Sequence, residues 1–146
     1  MALTAAQATI LILIPTCVVA GCSQKGPELV EVRGTVTYHG KPLGIGTINF
    51  VPVSSQGAPS RPAVGRIEPD GNYALRAYPD RDGVLAGEYQ VAINAYTGSL
   101  LENTAVYLVP KRLANPQTSG LKAIVPAHVA EPLGLDFRLV DRSHPT

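Results

Sequence analysis

The residues best suited to covalent chemistry are two cysteines near the amino terminus. Cys17 and Cys22 are the only thiols among the 146 residues, and they lie in or just after an apolar stretch. Since no cysteine follows them, a structural disulfide or a cysteine-rich metal site in the body of the protein is excluded. The chemistry of this pair therefore depends on the segment that surrounds it.

The first 21 residues have the character of an export signal. Residues 2–21 contain no charged side chain, and the apolar block at 10–14 is followed by Pro15. This arrangement is typical of the hydrophobic region of a signal peptide. Three alternatives remain open: an ordinary cleaved secretory signal, an uncleaved membrane helix, and a fortuitously apolar start of a cytoplasmic protein. The polar residues that interrupt the stretch disfavour a membrane-spanning helix.

Small side chains lead directly into the second cysteine. Val19, Ala20 and Gly21 precede Cys22, and the chain turns polar immediately afterwards. The segment resembles the lipobox of bacterial lipoproteins. In that family the cysteine thiol is alkylated with a diacylglycerol and the signal peptide is cut just before it.

Lipidation would make a membrane the first partner of the protein. The resemblance implies a lipoprotein signal peptide over 1–21 and a lipidated tether over 22–28. Two or three acyl chains on Cys22 would anchor the chain durably, because each buried methylene contributes about 0.8 kcal/mol. We therefore expect a cell-envelope location, and Ser23 after the cysteine favours the outer membrane by the same resemblance. The further partner that we expect is an envelope protein or a polysaccharide.

Charge and composition restrict the remaining possibilities. Lys and Arg number 12, Asp and Glu number 11, and no run of like charge exceeds two residues. Without a concentrated basic face, nucleic acid is not expected as a partner. The 14 Gly and 13 Pro indicate short strands joined by many turns within one domain.

Other residue types form no catalytic or metal-binding pattern. His39, His128 and His144 are far apart in the sequence and lack the spacing of metal ligands. No Gly-x-Ser-x-Gly motif supports a Ser/His/Asp triad. Asp80 and Asp82 alternate like calcium ligands, but no glutamate follows at the spacing of an EF-hand, so a solvated turn is expected. We expect no metal, no cofactor and no enzyme activity.

Most of the remaining chain alternates between apolar and polar residues with period two, which is typical of half-buried strands. We expect an all-β sandwich of about seven strands over 29–142, followed by a tail over 143–146, with little helix. The predicted strands lie near residues 32–38, 47–52, 63–68, 73–76, 89–94, 121–125 and 133–140. The predicted core contains Val36, Phe50, Tyr73, Tyr89, Val91 and Phe137. The rest of 97–132 is expected to be loop.

Three short motifs, in this order, match a known family. Residues 34–43 read Gly-x-Val-x-x-x-Gly-Lys-Pro-Leu, residues 70–73 read Asp-Gly-x-Tyr, and residues 87–91 read Gly-x-Tyr-x-Val. They resemble the carboxypeptidase regulatory-like, or transthyretin-like, β-sandwich. With a lipobox ahead, the whole layout is similar to small lipoproteins of planctomycete bacteria. We expect Gly71 to permit a turn and Gly87 to permit a close approach of two chain segments.

The resemblance implies a non-catalytic binding or structural module. A transthyretin-like enzyme or a metal-dependent sandwich is one alternative, and an accessory factor of a cell-envelope transport or assembly system is another. Tyr and His side chains gathered in one cleft would favour the enzyme.

Overall fold

The computed structural model describes residues 26–53 and 61–141. The predicted signal peptide, Cys17, the lipobox with Cys22, His144 and the predicted tail lie outside these residues. Of the predicted tether, only the part from Gly26 onward is described.

The described chain folds as an all-β sandwich, which confirms the predicted fold class. Two sheets enclose one hydrophobic core, and a short hairpin lies beside them. The strands are β1 (Val32–Tyr38), β2 (Lys41–Pro42), β3 (Thr47–Pro52), β4 (Ala63–Arg66), β5 (Asn72–Ala74), β6 (Gly87–Asn94), β7 (Tyr96–Thr97), β8 (Val106–Tyr107), β9 (Leu121–Val125), β10 (Leu133–Gly134) and β11 (Phe137–Leu139). A single 3₁₀ turn, Lys111–Ala114, is described between β8 and β9.

The first sheet is antiparallel throughout, in the order β4-β3-β6-β9. Its strands follow the period-two rule, because Ile48 and Phe50 of β3 are buried whereas Thr47 is exposed. Pro52 ends β3, as a residue without a backbone N–H does. The outer face of this sheet is therefore open to solvent over much of its area.

The second sheet is built around β1. Along one edge of β1 run β2 and β5, both antiparallel to it. Along the other edge run β10 and β11, both parallel to it. The last described strands of the chain therefore pair directly with the first long one, which closes the sandwich.

The core is filled by aliphatic side chains around a small aromatic cluster. Of the six residues expected there, Val36, Phe50, Tyr73, Tyr89 and Val91 are buried and Phe137 is partly buried against them. The Phe50 ring lies 5.6 Å from Tyr89 and 6.1 Å from Phe137, between ring centroids. Such tilted and edge-to-face pairs stabilise a core beyond the area that they bury.

The strand register defines two ends of the sandwich. At the end that we call proximal, the chain enters through Val30, which pairs with Val84. β1 and β6 run from this end towards the opposite, distal end, and β4 runs the same way because Val64 pairs with Arg76 and Thr47 with Arg66. The β7–β8 hairpin follows β6 at the distal end.

The expected turn at Gly71 is present, and it joins β4 to β5 as a hairpin. Gly71 has a φ of 83° and its N–H donates to the Glu68 carbonyl at 2.8 Å, while the Glu68 N–H donates to the Asn72 carbonyl at 2.8 Å. The two segments pair again at Val64 and Arg76, although β4 and β5 belong to different sheets. Between these two points β4 pairs with β3 and β5 pairs with β1, so the hairpin opens near Arg66 and Ala74.

The expected role of Gly87 was wrong. A Cβ atom at Gly87 would meet no atom of the described residues within 4 Å, so no close approach of the described segments requires this glycine. Its φ of 153° is the actual requirement, since side chains disfavour that backbone region. Gly87 thereby lets the chain turn into β6, where the Tyr89 hydroxyl donates to the Leu85 carbonyl at 2.7 Å. This i to i−4 bond is the arrangement of a tyrosine corner.

Candidate functional site

The diverging strands β4 and β5 open a groove on the surface of the sandwich. The groove has a volume of about 590 Å³. Arg66 and Glu68 line it from the β4 side, and Asn72 and Ala74 line it from β5. Arg33 of β1 completes the polar wall. We call this the first groove.

A second groove lies on the outer face of the four-stranded sheet, towards its distal end. It encloses about 390 Å³ and is lined by Thr47, Asn94, Tyr96, Ile45 and Arg66, among others. The polar residues come from neighbouring positions of paired strands, since Thr47 faces both Arg66 and Asn94 in the ladder. An arginine, an amide and a hydroxyl are thus held side by side on a rigid sheet.

Arg66 belongs to both grooves, and we call the combined surface the Arg66 recess. Within the described residues, neither Arg66 nor Glu68 lies within 4.0 Å of an oppositely charged group. In contrast, Arg33 is paired with Glu31 and Arg76 with Asp82. Arg66 therefore offers the donors of its planar guanidinium to an incoming ligand.

The floor of the first groove is held by contacts with Leu135, which lies between β10 and β11 where the last strand is interrupted. The Tyr73 hydroxyl donates to the Leu135 carbonyl at 2.6 Å, and burial raises the pKa of this phenol. A Cβ at Gly34 would overlap the same carbonyl oxygen, so only glycine fits there. The Tyr73 hydroxyl is thus neutral and its hydrogen is donated to the Leu135 carbonyl, so this residue has a structural role at the groove.

A tyrosine, a histidine and an aspartate also come together at the distal end of β1. The Tyr38 hydroxyl donates to Asp141 Oδ2 at 3.0 Å, and His39 Nε2 lies 3.3 Å from the same oxygen. Desolvation and the Asp141 carboxylate raise the pKa of the Tyr38 phenol. The His39 and Asp141 side chains are both about half exposed. Within the described residues, this cluster is an open surface contact that ties Asp141 to the end of β1.

The other residues considered for chemistry are dispersed. His128 lies near Glu28 at the proximal end, far from His39. The Asp82 carboxylate accepts from Arg76 Nε at 2.8 Å, so it is engaged in an ion pair in the turn predicted at 80–83. In residues 26–53 and 61–141, no group of three or more His, Cys, Asp or Glu side chains is placed to hold a metal ion. Within the same ranges, no helix has the length and hydropathy needed to cross a membrane.

The Arg66 recess was not found by the sequence analysis. Arg66, Asn94 and Tyr96 occupy ordinary outward positions of an alternating pattern, which by itself marks only a solvent-facing side. The residue that the sequence favoured for function, Cys22, lies outside the described part of the chain. A usable signal was the Asp-Gly turn at 70–71, because the sharp change of direction there separates the two walls of the first groove.

No family model matches the chain, and no curated protein matches it. Among solved structures, a 9R-lipoxygenase from Cyanothece PCC8801 is similar over 77% of this chain and 16% of the lipoxygenase chain, at 17% identity and a TM-score of 0.39. This chain therefore spans only a small part of that protein. The similarity is too low to argue for a shared fold or activity.

Proposed function

We propose that this protein is an exported, lipid-anchored and non-catalytic binding module of the cell envelope, of the carboxypeptidase regulatory-like type. One observation carries the binding role: two grooves of about 590 and 390 Å³ meet at Arg66, an arginine without an ion pair in the described chain. Rigid strands hold the surrounding polar groups, as a preformed binding surface requires.

The residues of the recess favour a carboxylate-bearing polysaccharide as ligand. A guanidinium binds a carboxylate through two parallel hydrogen bonds, and the Arg66 side chain is placed for such a contact. The amides of Asn72 and Asn94 can both donate and accept, which suits sugar hydroxyls. The Tyr96 ring adds an apolar surface beside them.

The anchoring role rests on the sequence. A lipobox-like segment, Val19 to Gly21, precedes Cys22, and among the described residues the sandwich core begins at Val30. A chain organised in this way can carry lipid at one end while the domain stays folded. The location at the cell envelope follows from the same proposal.

Binding is tested with a polysaccharide panel and one matched pair of variants. We expect the full-length protein to bind alginate or polygalacturonate and to prefer them over neutral dextran in isothermal titration calorimetry. Arg66→Ala should weaken this binding at least tenfold, the range for one charge-assisted bidentate contact. Arg138→Ala, which removes an exposed arginine of β11, should leave it unchanged. Equal affinity of Arg66→Ala and the wild type would exclude the recess as the binding surface.

Anchoring is tested separately at the two cysteines. In a bacterial host, Cys22→Ser should lose acylation and leave the detergent phase in Triton X-114 partitioning. Cys17→Ser should keep both properties. Mass spectrometry of the mature amino terminus is decisive, because an unmodified chain that begins anywhere other than Cys22 contradicts the proposal.

One further observation favours a second candidate, an accessory factor that docks on a larger envelope protein. The loop between β7 and β8 exposes Leu100 and Leu101, and Leu101 is 99% exposed. Val106 of β8 is also exposed, so the hairpin presents an apolar tip at the distal end. If this candidate holds, Leu100→Ser with Leu101→Ser should abolish a crosslinked complex in intact envelopes, and Arg66→Ala should not.

A further inference from the structure

We infer that the proximal end of the sandwich carries a docking surface for anionic lipid headgroups, formed by Arg61, Tyr78 and Arg81. The inference rests on the proposed lipidation of Cys22 and adds an orientation to it. The domain would rest on the bilayer through this surface, which we call the proximal cluster.

The position of the cluster follows from the point where the chain enters the domain. Gly26 lies against Arg81, since a Cβ on Gly26 would be 2.8 Å from Arg81 Nη1. Cys22 precedes Gly26 by only four residues, and a chain extends by at most about 3.3–3.6 Å per residue. The lipid on Cys22 would therefore hold Arg81 within about 15 Å of the membrane interface.

The two arginine side chains of the cluster both stack on the ring of Tyr78. The guanidinium carbon of Arg61 lies 4.5 Å from the centroid of the Tyr78 ring, and that of Arg81 lies 4.8 Å from it. In addition, Arg61 Nε donates to the Ala77 carbonyl at 2.7 Å. Stacking of this kind fixes two flexible side chains in advance, which lowers the entropy lost on binding.

One carboxylate of the turn at 78–82 is engaged with another arginine. Asp82 is paired with Arg76, and Glu28 lies 3.3 Å from His128. Asp80, between Tyr78 and Arg81 in sequence, is the remaining acidic neighbour in this turn. Within the cluster and its turn, Arg61 and Arg81 against Asp80 leave a local excess of positive charge.

The chemistry of the cluster suits a membrane surface. Guanidinium groups bind phosphate oxygens in pairs of hydrogen bonds, and tyrosine is enriched at the level of lipid headgroups. Arg61 also lines a recess of about 620 Å³ with Pro62, Pro79 and Tyr78, which gives the headgroups a concave, partly apolar seat.

Docking at the proximal end would turn the Arg66 recess away from the bilayer. β4 leads from the cluster towards the distal end, and a strand rises about 3.3 Å per residue. Arg66 would then lie roughly 15 Å further from the membrane than Arg61, where an envelope polymer can reach it.

The test uses the acylated full-length protein in vesicles, with a fluorescent label on a new cysteine. Pro79→Cys places the label at the cluster and Lys41→Cys places it in the distal turn, both in a Cys17→Ser background. The vesicles are either pure phosphatidylcholine or contain 30% phosphatidylglycerol, and both contain a headgroup nitroxide lipid that quenches nearby labels. Quenching at position 79, relative to position 41, reports the docked fraction.

We expect docking to be strong on the anionic vesicles, and weak on the neutral ones or in 0.5 M NaCl. Each arginine near an anionic surface shifts the equilibrium about fivefold, so Arg61→Gln with Arg81→Gln should lower docking about 25-fold. Lys122→Gln with Arg138→Gln removes the same charge from other exposed positions and should leave docking unchanged.

The outcomes separate this inference from the proposed function. If mass spectrometry shows that the chain is not acylated, the anchoring proposal and this inference are both overturned. If the chain is acylated but quenching at position 79 is equal on both vesicles and in both double variants, only the docking surface is overturned.

Discussion

The carboxylate of Asp136 accepts two hydrogen bonds from Thr35, one from the backbone N–H at 2.8 Å and one from the hydroxyl at 2.9 Å. The bonds lie where β10 has ended and β11 has not yet begun. Nearby, the Leu135 carbonyl accepts a hydrogen bond from the Tyr73 hydroxyl. The Asp136 carboxylate thus accepts the hydrogen bond from the Thr35 N–H that a backbone carbonyl would accept in a continuous strand. The two halves of the last strand, β10 and β11, remain joined to β1.

The hydrogen bonds from Thr35 to Asp136 make the stability of the fold depend on pH in the acid range. The two bonds from Thr35 lower the pKa of Asp136 in the folded protein. A carboxyl whose pKa is lower in the folded than in the unfolded protein stabilises the fold at pH values above its unfolded pKa, about 3.9. This stabilisation is lost as the pH falls through the folded pKa. We expect Asp136→Asn to destabilise the protein by about 1 kcal/mol at pH 7, a small value because the carboxylate is exposed.

Urea titrations of both proteins at pH 7 and at pH 2.5 check this expectation. The difference between wild type and Asp136→Asn should shrink at the lower pH, because the stabilisation by the carboxylate declines once the pH falls below its unfolded pKa. A difference that is the same at both pH values would mean that the Asp136 charge makes no contribution.

Tyr89 should contribute to stability through both its ring and its hydroxyl. The side chain is buried between the sheets, and its hydroxyl satisfies the Leu85 carbonyl. Tyr89→Ala should cost about 3–5 kcal/mol, as for other large buried aromatic residues reduced to alanine. Tyr89→Phe should cost about 1 kcal/mol, because it leaves that carbonyl without its donor.

Chemical denaturation measures both losses, and Tyr107→Phe serves as the control because Tyr107 is only partly buried. That variant should stay within about 0.5 kcal/mol of the wild type. If Tyr89→Ala loses less than about 1 kcal/mol, the tyrosine corner does not support the core.

The sequence predicted the strands well wherever alternation was long enough to be visible. β3 and β6 show apolar side chains at every second position, and the face of each strand that carries these side chains is buried. β2, β7 and β8 were missed because two residues cannot display a period. His39 and Gly40 both have positive φ and form a tight hairpin turn between β1 and β2, which alternation does not indicate.

Pairing partners were beyond what alternation can reveal. Residues 133–139 alternate in the same way whether they lie parallel or antiparallel to β1, and only the structure shows that the pairing is parallel. The candidate site depends on such long-range choices, since the first groove exists because β4 and β5 pair with different strands. The sequence could therefore predict the residues of the fold more readily than those of the recess.

Two glycines on neighbouring strands should differ strongly in their tolerance of alanine. A Cβ at Gly34 would overlap the Leu135 carbonyl oxygen, whereas a Cβ at Gly134 would meet nothing within 4 Å. Gly34→Ala must displace backbone and should destabilise by about 3 kcal/mol or more. Gly134→Ala should change stability by no more than about 0.5 kcal/mol.

Thermal unfolding of the two variants, followed by circular dichroism, compares them directly. The pair is matched because Gly134 lies opposite Arg33, next to Gly34, in the same ladder. Similar melting temperatures for the two variants would contradict the close approach of β1 and the last strand.

The loop between β7 and β8 should be the first described segment to be cut by chymotrypsin. Leu101 is 99% exposed, and the loop is held by a few local hydrogen bonds, such as Thr104 N–H to the Ser99 carbonyl at 3.0 Å. Local opening there costs little, because no buried side chain has to move. Cleavage after Leu100 or Leu101 should therefore precede cleavage at Phe50 or Tyr89, which are buried in paired strands.

Mass spectrometry of the early fragments identifies the site. Leu100→Ser with Leu101→Ser should remove the early fragment and leave the melting temperature unchanged, because neither leucine is part of the core. An initial cut within Gly87–Asn94 would contradict the strand assignment, since β6 is paired on both sides by β3 and β9. The four-stranded sheet would then have to open before its own surface loop, which reverses the order that burial and pairing require.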